Sequence, residues 1–280
     1  MPRSRYLSWL CLVLLIAPRV HAQTSQEAFA ALTAAVDEYL DKDIHQRFTY
    51  ITVNRSTSST VVHTPSGLSM FRTQDVKKYE YMDIGGQPYA RLMEVNGKPL
   101  SGDAEKHEQE LYDKAANDHA GLSLTQRYKE TLHVSDASIY SFHLPLEDLM
   151  SKFSMEYRGT KTIDGVRLLH FHGTTLKNSN EQPDPVPSQE IDIWVDPLTK
   201  SLVRADHKLL VDNGNLLSGT TSTKEFFLVD GVTCLSRNIE HFVLAPRGIQ
   251  KTLDGDTMFT DYKKFSSTTK ILPDTETVVP

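Results

Sequence analysis

Cysteine is nearly absent: the 280 residues hold two, Cys11 and Cys234. Cys11 sits inside an N-terminal apolar run, so Cys234 is left alone once that run is removed. One cysteine excludes an internal disulfide in any compartment, and no cysteine stands at a cleavage site where a lipid anchor would be attached. No second hydrophobic run reaches the ~20 residues of a membrane span, so a processed chain has no transmembrane segment. Phosphate-cradling glycine loops, G-x-G-x-x-G, EF-hand spacing and the G-x-S-x-G elbow are all missing. The sequence therefore carries no cofactor signature and no recognisable catalytic residue. A basic excess is missing too, which argues against nucleic acid as a partner.

What is present begins with MPRSRYLSWLCLVLLIAPRVHAQ. Arg3 and Arg5 precede an apolar stretch from Leu7 to Ala17, and Val20-His21-Ala22 supplies a small-residue cleavage site. This is the pattern of a secretory signal peptide over residues 1–22. Those residues contain three arginines, no lysine and no acid. The 258 that remain carry 27 basic and 36 acidic side chains, a formal −9. An exported chain of that length buries about three quarters of its unfolded surface and needs no staple.

Thr24 and Glu27 have capping-box spacing, and Phe29, Leu32, Val36, Tyr39 and Leu40 recur at helical period, predicting a helix over about 25–40. From Phe48 onward short β-rich runs take over: FTYITVN, VKKYEYMDI, YARLMEV. Gly85-Gly86, Asn96-Gly97, Asp164-Gly165, Asn213-Gly214, Asp230-Gly231 and Asp254-Gly255 punctuate them, the dipeptides that tight hairpins require. Two departures interrupt this antiparallel meander. Residues 101–135 are charged, proline-free and helix-forming, an expected insertion of one or two helices. His143 to Lys152 reads as a short helix with Pro145 in its first turn. A proline-rich loop covers 178–189, and the tail 269–280 has no pattern. No composition break divides the chain, so residues 23–268 read as one mainly β, α+β domain: a curved antiparallel sheet covered by helices.

The stretch EIDIWVDPLTKSLVRADHKLLVDNGN alternates apolar and polar residues through a turn. Its expected inward face holds Ile191, Ile193, Val195, Val203, Ala205 and Leu209, with His207 and Val211 on the same alternation. Small Ala205 among bulky neighbours fits a ligand pocket, and fits equally a helix laid against it. Other groupings have ordinary explanations. His170 and His172 share a strand face, but catalytic zinc needs a further protein ligand that the sequence does not identify. Asp192 and Asp196 share a face that reads as solvated. Cys234 reads as an inert strand cysteine, and the run from Asp103 to Asp118 as a solvated helix face. No metal site is assigned.

One resemblance stands out. Gly159 to Gly165 (G-x-x-x-I-D-G), Trp194 to Arg204 (W-V-D-P-x-T-x-x-x-V-R), and the order of parts from about Leu144 to Phe265 resemble the periplasmic lipoprotein carrier and acceptor proteins, the LolA/LolB-like family. They are similar also to the lipid-sensing domain of an envelope-stress regulator. The resemblance implies a half-open β-barrel, a periplasmic (or else extracellular) location, and lipid or lipoprotein acyl chains as apolar ligand. It covers roughly half the chain beyond the leader, and its motifs are turn and strand residues that perform no chemistry. The long insertion departs from a minimal carrier, and no arginine here matches the carrier's lid latch.

Two functions follow as expectations. The first is a non-enzymatic carrier or sensor sheltering an apolar chain in the barrel. The second is a cell-envelope interaction module of the same fold, with a filled core and a protein partner. A metal-dependent hydrolase centred on His170 and His172 is a distant third.

Overall fold

The computed structural model describes residues 24–41, 48–64, 67–84, 87–118, 146, 149–176, 188–245 and 249–264. The expected leader, Gly85-Gly86, residues 119–135 of the insertion, Pro145, most of the proline-rich loop and the tail lie outside the described residues.

Helix α1 (Ser25–Asp41) opens with a reciprocal capping box. Thr24 N donates to Glu27 Oε2 at 3.0 Å, and Glu27 N donates to Thr24 Oγ1 at 3.2 Å. Two otherwise orphaned donors are thereby satisfied. The inner stripe of α1 is Ala28, Ala31, Leu32, Ala35 and Val36, all buried. Small residues at this spacing let a helix lie close to a sheet.

Strands β1 (Phe48–Thr64), β2 (Gly67–Ile84), β3 (Gln87–Val95) and β4 (Lys98–Pro99) form a first meander. Helix α2 (Asp103–Asp118) and the short α3 (Leu149–Lys152) follow. A second meander then runs through β5 (Phe153–Ile163), β6 (Val166–Thr175), β7 (Gln189–Asp196), β8 (Ser201–Leu209), β9 (Thr221–Val229), β10 (Val232–Leu244) and β11 (Lys251–Lys264). The two meanders join because β11 pairs with β1, giving one eleven-stranded antiparallel sheet in the order β4-β3-β2-β1-β11-β10-β9-β8-β7-β6-β5. It is curved and not closed, with β4 and β5 as its two edges. The chain linking those edges contains α2 and α3.

Three of the expected hairpins form at their dipeptides. Asn96, Asp164 and Asp230 take φ near +50°, and the glycines after them +73° to +80°. Both central residues are left-handed, the twist that matches paired strands. Asp254-Gly255, read from sequence as a turn, instead lies inside β11. Neighbours on both sides hold it extended, with Gly255 opposite Ser56 of β1 and Glu240 of β10. A side chain there would meet the Glu240 carboxylate at 3.5 Å. That is ordinary contact, so the dipeptide serves here as plain strand rather than as a turn.

Candidate functional site

Residues directly opposite one another on antiparallel strands share a face, so the register maps the concave surface. α1 packs mainly on β8 and β10, with lesser contact to β5 and β7. Beneath it lies an aliphatic cluster of Ile191, Ile193, Val195, Leu202, Ala205, Phe171 and Leu169, joined by Leu32 and Val36 of the helix. Four of the six residues expected at a pocket, Ile191, Ile193, Val195 and Ala205, are thus gathered and fully buried beneath α1.

The other two are placed differently. Val203 is half-buried and pairs with neither neighbouring strand. A β-bulge sets Val195 opposite Leu202 and Trp194 opposite Arg204. The inserted residue shifts the alternation by one, so Leu202 takes the inward position that period two assigns to Val203. Leu209 is buried in a separate cluster with Leu216, Phe242, Leu244 and Leu253. Val211, expected inward, lies beyond β8 and is 50 % exposed. His207 does face inward, buried and hydrogen-bonded to Gln189.

The sequence reading missed the other half of this surface. Around β1, β2 and β11, Phe48, Tyr50, Tyr81, Phe259 and Tyr262 pack together with Cys234 and Val232. Tyr50 stacks on Tyr81 at 5.0 Å and on Tyr262 at 4.9 Å between ring centres. Aromatic pairs of this kind contribute about 0.5–1.5 kcal/mol each beyond their area. Tyr262 donates its hydroxyl to the Leu235 carbonyl at 2.7 Å. Burial raises the pKa of Tyr50 and of Tyr262, pushes Tyr39 up to about 12, and pushes Cys234 up to about 12 with help from the charge of Glu38. These shifts mark a dry, apolar environment. The signal was available: aromatic residues two apart, Phe48 and Tyr50 in FTYITVN and Tyr79 and Tyr81 in YEYMDI, share strand faces.

Between the aliphatic and aromatic clusters the concave face turns polar. Ala205 stands opposite Lys224, Lys224 opposite Asn238, Asn238 opposite Thr257, Thr257 opposite Asn54 and Asn54 opposite Lys77. One step along, His207, Ser222, Glu240 and Gly255 form a parallel row. Burial lowers the pKa of Lys224, and the charge of Glu240 opposes that shift.

The convex face carries the other groupings. Arg237 forms a two-pronged pair with Asp256 at 2.8 and 2.9 Å, and Arg204 bonds Asp206 at 3.0 Å. His170 and His172 both meet Asp192 Oδ1, at 2.6 and 3.3 Å, and His170 stacks on Trp194. Asp196 instead caps the following turn by accepting from Leu198 N at 2.8 Å, so Asp192 and Asp196 serve different tasks. Among the described residues, no group of three or more His, Cys, Asp or Glu is arranged to hold a metal ion. No helix among them is long and apolar enough to cross a membrane.

No family model and no curated protein matches the chain. Solved structures do. The chain is similar to a LolA superfamily protein from Nitrosomonas europaea (11% identity, 84% of this chain and 94% of that one, TM-score 0.29). It is also similar to a putative outer membrane lipoprotein-sorting protein domain from Vibrio parahaemolyticus (8%, 86% and 94%, TM-score 0.34). The Mycobacterium tuberculosis lipoprotein LppX is another (12%, 85% and 96%, TM-score 0.29).

Proposed function

We propose that the protein is an exported, non-enzymatic carrier that shelters an acyl chain on the concave face of its open sheet. The domain doing so would be residues 23–268, working in the periplasm after loss of residues 1–22. The observation that carries this reading is the layout of that face. An aliphatic surface containing Ile191, Ile193, Val195 and Ala205 lies under one helix, and an aromatic surface around Tyr50, Tyr81 and Tyr262 lies at the other end. Leu209 and its cluster add a third apolar wall. An unclosed sheet lets such a face be reached from an edge. Each methylene buried there would contribute ~0.8 kcal/mol without any specific polar contact. The test is mass spectrometry of lipid extracted from protein purified, without detergent, from its native envelope. A stoichiometric acylated species, lost in a folded Tyr81→Glu variant, is the expected result. Ligand-free protein would overturn the reading.

A second reading, an envelope interaction module, is favoured by one feature. β3 pairs with β2 only from Lys77 onward and Asn96 takes both backbone groups of Val76, so among the described residues β2 has a free edge from Gly67 to Asp75. That stretch exposes Met70 and Phe71. A free edge is a template for an added strand. Gln74→Pro, whose N–H lies on the free side of β2, would block such pairing and release a protein partner while leaving lipid content unchanged.

A further inference from the structure

The polar band crossing the concave face has no place in a site built for acyl chains alone. Lys224, Asn238, Thr257 and Asn54 stand on four successive strands, β9, β10, β11 and β1, in mutual register. On one side of Lys224 is Ala205 of the aliphatic cluster. Two residues along β1 from Asn54 is Thr52, opposite Phe259 and Tyr79, which lead into the aromatic cluster. The band therefore lies between two greasy surfaces, where an amphiphile would put its head if its chain lay on either.

Two acceptors in the band are incomplete. Asn54 Oδ1 and Asn238 Oδ1 are buried and accept no hydrogen bond. A buried polar atom left so is costly, and in native proteins it commonly has a function. Lys224 adds an ammonium on the same row, and Glu240, diagonal to it and 7 % exposed, adds a carboxylate. Strands are about 4.8 Å apart, so the two asparagines, separated by β11, stand about 10 Å from each other, and Lys224 about 5 Å beyond. The row offers a cationic donor at each end, Lys224 and Lys77, with acceptors spread between them. An anion on Lys224 makes a charge-assisted bond, and hydroxyl hydrogens fill the two acceptors.

Resting on the carrier reading above, we infer that Lys224, Asn238 and Asn54 form a head-group site on the concave face for an anionic amphiphile bearing hydroxyls, such as a phosphoglycerol or phosphosugar lipid. Chain and head are then recognised by different residues, and selectivity between lipids comes from the band.

Calorimetric titration with three C12 amphiphiles separates the two layers of this claim. Lauroyl lysophosphatidylglycerol carries the anion and hydroxyls, monolaurin the hydroxyls alone, and dodecanol one hydroxyl at the chain end. Each is used below its micellar concentration. The wild-type protein is expected to bind lysophosphatidylglycerol at least tenfold more tightly than monolaurin. Lys224→Met should erase that difference and leave dodecanol unaffected. Asn54→Leu, the variant to use should Lys224→Met unfold, should weaken lysophosphatidylglycerol and monolaurin together and spare dodecanol. Dodecanol binding with no preference among the three would overturn the head-group site while the carrier reading stands. No binding of any of the three would overturn both.

Discussion

Removing the side chain of Leu32 tests how α1 is held to the sheet. Leu32 is fully buried and is the largest member of the inner stripe of α1, whose other residues are three alanines and a valine. Leu32→Ala deletes three carbons, about 2.4 kcal/mol at ~0.8 kcal/mol each. A cavity contribution adds to this because the lining cannot close up. Ile193 and Ala205 sit on β7 and β8, each pinned by a paired strand on both sides. The total is therefore expected at about 3–4 kcal/mol, inside the 2–5 seen for such truncations. In a chain of this size about 1 kcal/mol moves Tm by ~2–4 °C, so the fall should be about 6–16 °C. Thermal unfolding followed by far-UV circular dichroism, on the chain beginning at Gln23, gives the number. Leu40, 40 % exposed on the same helix, is the control and should cost under about 0.5 kcal/mol as Leu40→Ala. A drop of less than about 2 °C for Leu32→Ala would mean that α1 does not rest on the sheet through this stripe.

Two further outcomes are expected. Arg237's hydrogen bonds, aided by its charge, hold the Asp256 carboxyl below the usual aspartate value. That contribution is complete above the unfolded pKa near 4 and is lost as pH falls through the lower folded value. Because the pair is partly solvated it amounts to under about 1 kcal/mol. Urea titrations should show wild type more stable than Asp256→Asn at about pH 6, with the gap closing toward about pH 3; a gap unchanged with pH would refute the pairing. Cys234 is buried, with its thiol pushed up to about 12, so iodoacetamide at about pH 8 should leave it unlabelled for hours in the folded protein and label it readily in urea. Rapid labelling of the native state would place the thiol at the surface.

Local chemistry was the legible part of the fold. The Thr24–Glu27 box and the Asn96, Asp164 and Asp230 hairpins depend on residues within four positions of each other, and each formed where its dipeptide or spacing indicated. Asp254-Gly255 has the same local signal and failed, because β1 and β10 on either side hold it straight. Val203 failed for a related reason. Period-two reading assumes unbroken pairing, and one bulge at β7–β8 exchanges it for Leu202. Ala205 was ambiguous from sequence, and the helix packed over it ends more than 160 residues earlier in the chain, at Asp41. The polar band was illegible because it is a property of register across β9, β10, β11 and β1 together. In each strand taken singly, Lys224 or Asn54 is an ordinary polar residue.

The β1–β11 seam has a consequence for how the protein comes into being. Arg55 bonds Met258, a partner 203 residues further along, so the middle of the sheet is closed by nearly the last strand to be made. Pairing over such separations is slow, since loop closure must precede any reward. Until β11 arrives, β1 and β10 are both bare edges, and the two meanders are half-sheets inviting foreign strands. On the export reading proposed above, a chain threaded unfolded across a membrane would emerge with its fold incomplete to the end. Truncation before Lys251 should yield aggregates rather than a smaller folded sheet.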